Sequence, residues 1–337
     1  MSLAGIRRAG RRGGRGPGIP PGTRLRLHLT GILVPLVLAL EAVAGLGRFV
    51  PDLDQFLSTN LRMLEHLAPH LLLLSLLLSL VVAGLGARRA GGALALLALL
   101  AGAGIVWDTR ATRGPPAAES DLTLLWFNVL IANPTPPERL VAAIRAAGAD
   151  VVLLAEATPL RRAVDGLADL YPYRLGCAEA GPCGLLLLSR FPVENPRFND
   201  FPSGPERMLR VVLDVPGHGS VALVGLHETK PWYLGLTNGE AEAVRWGLRP
   251  GKRALPTVVA GDFNAAPWSL RMRRIQREQD LRSAAWPVPT WPAAAGRFGV
   301  PIDHVLVRDG TGIARLEPWG ADLGSNHRGL LAGIDLP

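Results

Sequence analysis

The sequence predicts two packed β-sheets with helices on their outer faces, joined to a block of membrane-length helices at the front of the chain. Three observations carry this. After residue 120, apolar segments of strand length alternate with amphipathic helical ones. Three long apolar runs crowd the first 107 residues. Polar residues recur where the apolar strands end, as in Gly261-Asp262-Phe263-Asn264.

The front block comes first in the chain. Of 337 residues, 48% are hydrophobic, and the excess lies before residue 108. Residues 27–46, 67–87 and 90–107 each approach the ~20 residues that a helix needs to cross hydrocarbon. The second run is nearly pure Leu, Val and Ala; the first contains Glu41 and the third is rich in Gly. Three such runs argue against buried helices of a soluble core. The long first run, followed soon by a second, argues against a cleaved signal peptide.

Residues 1–26 hold seven Arg and no acid, which predicts a cytoplasmic tail. The loop between the first two runs is slightly acidic and suits the outer side; Arg88-Arg89 returns to the inside. Three crossings of the membrane region, 27–107, then place residues 108–337 outside the cytoplasm.

Charge bounds the partners. The chain carries a net +8, yet residues 108–337 hold 25 Lys and Arg against 24 Asp and Glu. The basic excess belongs to the front of the chain and is no footprint of nucleic-acid binding by the rest. The two cysteines, Cys177 and Cys183, flank a Gly/Pro-containing turn. On an oxidising side they can close a disulfide; two unrelated thiols or a local metal clip are the alternatives.

Residues 108–120 (DTRATRGPPAAES) read as a linker. Strands are expected at 122–130, 151–155, 184–189, 208–215, 220–227, 257–260, 302–307, 312–318 and 330–334. Pro216-Gly217-His218-Gly219 should close a hairpin. Thr135-Pro136-Pro137-Glu138 reads as a capping box opening a helix to about Ala147. Further helices are expected at 159–170, 239–248 and 269–279. No internal repeat is present.

The chemistry sits at strand ends. Asp262 and Asn264 share one side of an extended chain, because side chains alternate with period two. Ile302-Asp303-His304 and Ser325-Asn326-His327 add carboxylate and imidazole. Carboxylates, amides and imidazoles around one point suit a divalent cation and a phosphate ester.

Phe127-Asn128, Ala155-Glu156, His227, Gly261-Asp262-Phe263-Asn264, Ile302-Asp303-His304 and Ser325-Asn326-His327, in that order, resemble the endonuclease/exonuclease/phosphatase superfamily across residues 121–337. The front helices, the cysteine pair and Pro289-Thr290-Trp291-Pro292 look like its membrane-anchored bacterial branch, which includes VanJ-type proteins. The resemblance implies an α+β, four-layer α/β/β/α sandwich of two mainly antiparallel sheets. It implies Mg²⁺ or Mn²⁺ held by Glu156, with Asn128 and Asn326 in the metal shell. Asp262 would activate water, and Asn264 would hold that water or a phosphoryl oxygen. His327 would stabilise charge on phosphorus, oriented by Asp303, and His227 would face the phosphate. His304 should point to the other face and read as structural. Asn326 departs from the family, which usually has Asp there; the amide weakens a second metal site.

Arg207 and Arg210 are candidates for substrate phosphate. The Arg runs at 245–253 and 271–277 read as solvated helix faces.

The reading that follows is a multi-pass protein of the bacterial plasma membrane, with its catalytic domain on the extracytoplasmic side. It is a metal-dependent phosphoesterase acting on a phosphate ester or pyrophosphate, a class that includes lipid-linked ones such as undecaprenyl pyrophosphate. An extracytoplasmic nuclease is the first alternative. A catalytically weak binding protein of the same fold is the second.

Overall fold

The computed structural model describes residues 20–49, 56–115, 117–177, 181–233, 237–251, 254–284 and 286–337. Most of the Arg-rich tail, and Asp52 and Asp54 of the acidic loop, lie outside them.

Four helices form the front block. They are α1 (Pro21–Leu46), α2 (Phe56–His66), α3 (Ala68–Gly84) and α4 (Arg88–Ala111). By length and composition α1 and α4 can each cross a membrane; α2 and α3, bent by 70°, count as a third span only if taken together. The expected straight run over 67–87 is thus shorter, and α2 fills part of what read as a loop. Pro69 in the first turn of α3 cannot extend the helix before it. Arg62 and Glu65 of α2 are buried. The Glu65 Oε1 accepts from Leu270 N at 3.0 Å, outside the front block.

The segment expected as a linker is docked instead. α4 runs on to Ala111, and Asp108 pairs with Arg273 at 2.5 Å. Ser283 N donates to Thr112 O, and Gly114 N to Ser283 O, both at 3.0 Å.

The remaining elements are β1 (Leu122–Asn128), α5 (Pro137–Ala147), β2 (Val151–Ala155), β3 (Tyr173–Gly176), β4 (Leu185–Ser189), β5 (Val193–Phe201), β6 (Gly204–Val215), β7 (Gly219–His227), α6 (Thr237–Gly247), β8 (Thr257–Asp262), α7 (Leu270–Glu278), β9 (Arg282–Ser283), β10 (Asp303–Arg308), β11 (Gly312–Trp319) and β12 (Gly329–Asp335). One sheet has the order β11-β12-β1-β2-β4-β3 and the other β5-β6-β7-β8-β10-β9. Each contains one parallel pair, β1/β2 and β7/β8; the other pairs are antiparallel.

Strand periodicity divides the core into layers. Leu124, Trp126, Leu153, Leu185 and Leu187 meet Leu209, Val211, Leu223, Val258, Ala260 and Val305 between the sheets. The alternate residues pack outward. Leu125, Val152 and Leu186 cover Leu140 and Ile144 of α5. Met208, Val224, Leu226, Val259 and Leu306 cover Val244 of α6 and Met272 and Ile275 of α7. Burying such a Leu, Ile or Met side chain contributes roughly 1.5–3 kcal/mol. The result is the expected α/β/β/α sandwich.

Local expectations failed where backbone competition outweighed pattern. Residues 159–170 form two short 3-10 turns, Thr158–Leu160 and Val164–Leu167, rather than one helix. Gly166 weakens the run in its interior. At α5 the N-cap is Pro136 with no side-chain cap, not Thr135. Asn133 Oδ1 already takes Thr135 N at 2.8 Å. Strand β5 escaped notice because it is an exposed edge with register shifts and a proline, Pro196. Cys177 and Cys183 are joined by a disulfide between β3 and β4.

Candidate active site

The same alternation that builds the inter-sheet core builds the site. Continue the inward face of β1 beyond Leu124 and Trp126, and the next residue is Asn128. On β7 it is His227, on β8 Asp262, and β10 begins inward with Asp303. At one end of the sandwich the apolar filling gives way to these polar groups, all at most 2% exposed. Gly261 leads into Asp262 without a side chain because a Cβ there would collide with the Leu226 carbonyl.

Two residues reach the cluster by bending the chain. Glu156 has φ +50° and Asn264 φ +46°, a left-handed backbone that is costly outside glycine and concentrates at functional sites. Strand parity alone would send Glu156 outward after Ala155. Instead its Oε2 accepts from Ile131 N at 2.9 Å, and its Oε1 lies 3.7 Å from His227 Nε2.

Asp262 is the hub. Its Oδ1 accepts from Asn264 N at 2.9 Å and its Oδ2 from Asn128 Nδ2 at 3.1 Å. The same Oδ2 lies 3.7 Å from His227 Nε2 and 3.8 Å from His327 Nε2. Asn264 Nδ2 donates to Glu228 O at 2.8 Å, which ties the loop after β8 to the end of β7.

Behind His327 stands Asp303, with Oδ2 2.8 Å from Nδ1. Trp126 Nε1 donates to Asp303 Oδ1 at 2.8 Å. Thr290 Oγ1 accepts the backbone N–H groups of Ile302 and Asp303, each at 3.2 Å. Ser325 Oγ donates to Asn128 O at 2.6 Å and accepts from His327 N at 3.0 Å, so the last loop is pinned to β1.

Behind His227 stands Arg207, with Nη1 2.8 Å from Nδ1. Guanidinium has no acceptor, so Nδ1 accepts and a neutral His227 carries its proton on Nε2. That N–H faces Glu156 and Asp262.

Electrostatics follow from these partners. Burial, and then Arg207 and His327, hold His227 well below its ordinary value. Burial would lower His327 too, but Asp303 and Asp262 outweigh it and push it up to about 9. Burial, and then Asp303, raise Asp262. Burial would also raise Asp303, but His327 and the hydrogen bonds from Thr290 and Trp126 hold it down. At neutral pH the site thus contains a cationic His327 and a neutral His227.

The donor set fits a divalent cation. The Glu156 and Asp262 carboxylates each come within 3.7 Å of His227 Nε2. Asp262, Asp303 and His327 also bring ligand atoms within 4.8 Å of one another, but a His327 charged by Asp303 is a hydrogen-bond donor and not a ligand. Hard oxygen donors of this kind suit Mg²⁺-like ions.

The structure thus gathers Asn128, Glu156, His227, Asp262, Asn264, Asp303 and His327, with Arg207 behind them. Two expected members stay out. Arg210 has the opposite strand parity, with Met208, and lines a different pocket with Arg197 and Arg308. Asn326 is exposed, and among the described residues no hydrogen bond joins its side chain to the cluster; its neighbours Ser325 and His327 turn inward instead. His304 points outward, with Nε2 2.8 Å from Ala265 O. Sequence reasoning missed Trp126 and Thr290 as supports of Asp303. Trp126 was findable, being two residues before Asn128 on the same strand face.

Paired sheets ending in this carboxylate–imidazole–amide cluster define a hydrolase of phosphate esters. The family model of the Endonuclease/Exonuclease/phosphatase family matches residues 125–327, and the chain belongs to that family. Members are metal-dependent phosphoesterases or nucleases, and this chain is a metal-dependent phosphoric ester hydrolase. Solved structures share the fold. The endonuclease/exonuclease/phosphatase from Beutenbergia cavernae is 21% identical, with TM-score 0.51, over 64% of this chain and 71% of that one. The family protein from Leptotrichia buccalis is 14% identical, with TM-score 0.52, over 64% and 100%. D. rerio TDP2, complexed with a single-strand DNA product, is 16% identical, with TM-score 0.51, over 64% and 98%. No curated protein matches the sequence.

Proposed function

We propose that the chain is a membrane-anchored phosphoesterase acting on a lipid-linked phosphate or pyrophosphate on the extracytoplasmic side of a bacterial plasma membrane. The observation that carries this is the position of Trp268. It follows the Asp262–Asn264 loop, and its Nε1 donates to Glu65 O at 3.0 Å. On one side it packs with Ala68, Leu72 and Ala98 of the front helices. On the other it packs with Ala266, Val300 and Ile302, directly before Asp303. The hydrolytic loop is therefore bound to the membrane-length helices rather than tethered loosely to them. Beside Trp268, an apolar groove of about 410 Å³ runs between α3 and α4, with Leu72, Leu76, Leu99 and Trp286 in its walls. Walls drawn from the front helices suit a hydrocarbon chain, such as that of a lipid-linked substrate. The balanced charge of residues 108–337 speaks against a duplex-binding nuclease.

In this reading Asp262 accepts a proton from the attacking water, held in place by Asn264 N and Asn128 Nδ2. Cationic His327 donates hydrogen bonds to the charge that develops on the phosphoryl oxygens, and Asp303 keeps its ring oriented. Neutral His227 presents its Nε2–H to the substrate phosphate. Glu156 and Asn128 would hold the divalent cation, Mg²⁺ or Mn²⁺, which supplies charge neutralisation at a phosphoryl oxygen.

The test is Mg²⁺-dependent phosphate release from undecaprenyl pyrophosphate by detergent-solubilised full-length protein, beside Glu156→Ala and His327→Ala. Release by the wild type and at least about 10²-fold less in each variant is expected. Cleavage of single-stranded DNA with no release from the lipid would replace this reading with the nuclease one.

A further inference from the structure

Glu156 stands just past the end of β2 with a left-handed backbone, φ +50°. Its carboxylate is aimed from one side by the Ile131 N–H, 2.9 Å from Oε2. Its backbone is held from the other side by the segment that leads into β4. Glu156 N donates to Gly184 O at 2.9 Å, and Ala157 N to Cys183 O at 3.1 Å. Cys183 N donates back to Thr158 Oγ1 at 3.1 Å, and Arg161 Nη2 donates to Gly181 O. Residues 181–184 are thus the floor on which the Glu156 turn rests. A left-handed backbone outside glycine persists only where its surroundings over-determine it, and these hydrogen bonds do so.

The floor is itself fixed by a covalent bond. The β3/β4 ladder runs out at Gly176, opposite Leu186. Just beyond it Cys177 is bonded to Cys183. The disulfide takes over where the ladder ends, at the residue whose carbonyl and N–H both face the Glu156 turn. Cys183 is buried with Leu154 and Leu160, and Cys177 packs against the same cluster, so the bond also seats the floor on the core. Gly184 lies against β6, where a Cβ would stand 2.5 Å from Pro205 O. Only glycine lets the floor fit between β6 and the Glu156 turn.

We propose that Cys177 and Cys183, through their disulfide, are positioning residues for Glu156 as a metal ligand, and that full affinity for the divalent cation requires the bond. Opening it removes the tie between the floor and β3. The carbonyls that hold Glu156 N and Ala157 N then gain freedom, and the carboxylate loses the fixed backbone from which it reaches the cation. Groups that orient a metal ligand from behind typically set about 10- to 100-fold in metal affinity. The inference rests on the reading of Glu156 as a metal ligand given under the proposed function. It does not depend on which phosphate ester is hydrolysed.

The experiment follows the thermal midpoint of full-length, detergent-solubilised protein, first in chelator and then through a Mg²⁺ titration. The Mg²⁺ concentration at which the midpoint starts to rise reads the affinity of the folded state, separately from the midpoint without metal. The proteins are wild type, Cys177→Ala/Cys183→Ala, Thr158→Val and Glu156→Gln. The cysteine variant should need at least about tenfold more Mg²⁺ than wild type. Thr158→Val keeps the disulfide but removes the acceptor of Cys183 N, and should shift the same way by less. Glu156→Gln should lose the rise. A cysteine variant with a lower midpoint in chelator but wild-type Mg²⁺ dependence would overturn the inference, because the bond would then serve stability alone. Should the cysteine variant not fold, Thr158→Val decides, and an unshifted Mg²⁺ dependence there overturns it. If Glu156→Gln answers Mg²⁺ as wild type does, the reading of Glu156 as a ligand falls, and the inference with it.

Discussion

His227 and His327 approach the same atom, Asp262 Oδ2, at 3.7 and 3.8 Å, and both are almost excluded from solvent. Their charge states are nevertheless opposite. His327 has Asp303 behind it and is pushed up to about 9; His227 has Arg207 behind it and is held well below its ordinary value. Burial lowers both rings, and the group on the far nitrogen reinforces or reverses that. A carboxylate there makes a cationic donor, and a guanidinium there fixes a neutral ring with its proton on Nε2. Strand parity supplies both partners: Asp303 opens β10 facing inward, and Arg207 shares the inward face of β6 with Leu209.

The sharpest break in this comparison is His327→Ala. It removes the only imidazole that is cationic at neutral pH in the cluster described here, and hydrolysis should fall by at least about 10²-fold. A steady-state assay at pH 7 checks it; wild-type turnover would remove His327 from the mechanism. Asp303→Asn should cost less than His327→Ala at neutral pH, between about tenfold and 10²-fold, while keeping the ring in place. The pH profile is the sharper readout. Because the folded value of His327 is raised, its protonated form persists up to about pH 9, and activity should decline as pH rises through that value. In Asp303→Asn the decline should move to lower pH; an unmoved limb would mean that Asp303 does not set the charge. Stability carries the same sign. The contribution of His327 is fully present below its unfolded value of about 6.5 and is lost as pH rises through about 9. The difference in thermal midpoint between wild type and His327→Ala should therefore shrink between pH 6 and 10.

Arg207→Gln tests the other half. Without the guanidinium, His227 loses both the repulsion that keeps it neutral and the partner that fixes its tautomer. Activity should fall about tenfold at pH 7, less than for loss of the donor itself. Burial, the larger cause of the low value of His227, remains, so any new loss should appear only below the ordinary value of about 6.5. A profile with no acid limb would show that burial alone keeps His227 neutral.

The sequence made most of this site legible because period-two alternation is a local rule. Asn128, Asp262 and Asp303 each sit at a strand end, where the apolar inward face stops. Trp126 and Thr290 were not legible in the same way. Their contact with Asp303 joins residues 177 and 13 positions apart, and the longer one crosses from one sheet to the other. Arg210 misled because an Arg three positions from another looks equivalent in a list, although the alternation assigns them opposite faces. α2 was hidden for a different reason. Residues 56–66 are a mixed, charged stretch between apolar runs, and only packing against Trp268 and Leu270 shows why they are helical.

The smallest expected effect concerns Asn326, where the family usually carries Asp. If both histidines are tuned only from behind, a carboxylate on this outward-facing position should change little. Asn326→Asp should keep activity within about twofold of wild type, the scale of an exposed, solvent-screened charge. It should also leave the decline near pH 9 in place, because the partner of His327 Nδ1 is Asp303 and not residue 326. A gain of tenfold or more would give a different picture. It would mean that the loop from Ser325 to His327 turns inward when metal and substrate are bound, bringing residue 326 to the cation. In that case His327 would be tuned from the front as well as from behind, and its pH limb would rise in Asn326→Asp with Asp303 unchanged. Turnover and the position of that limb, measured together over a Mg²⁺ titration, separate the two cases. A gain in turnover with a fixed limb assigns the new carboxylate to the metal alone.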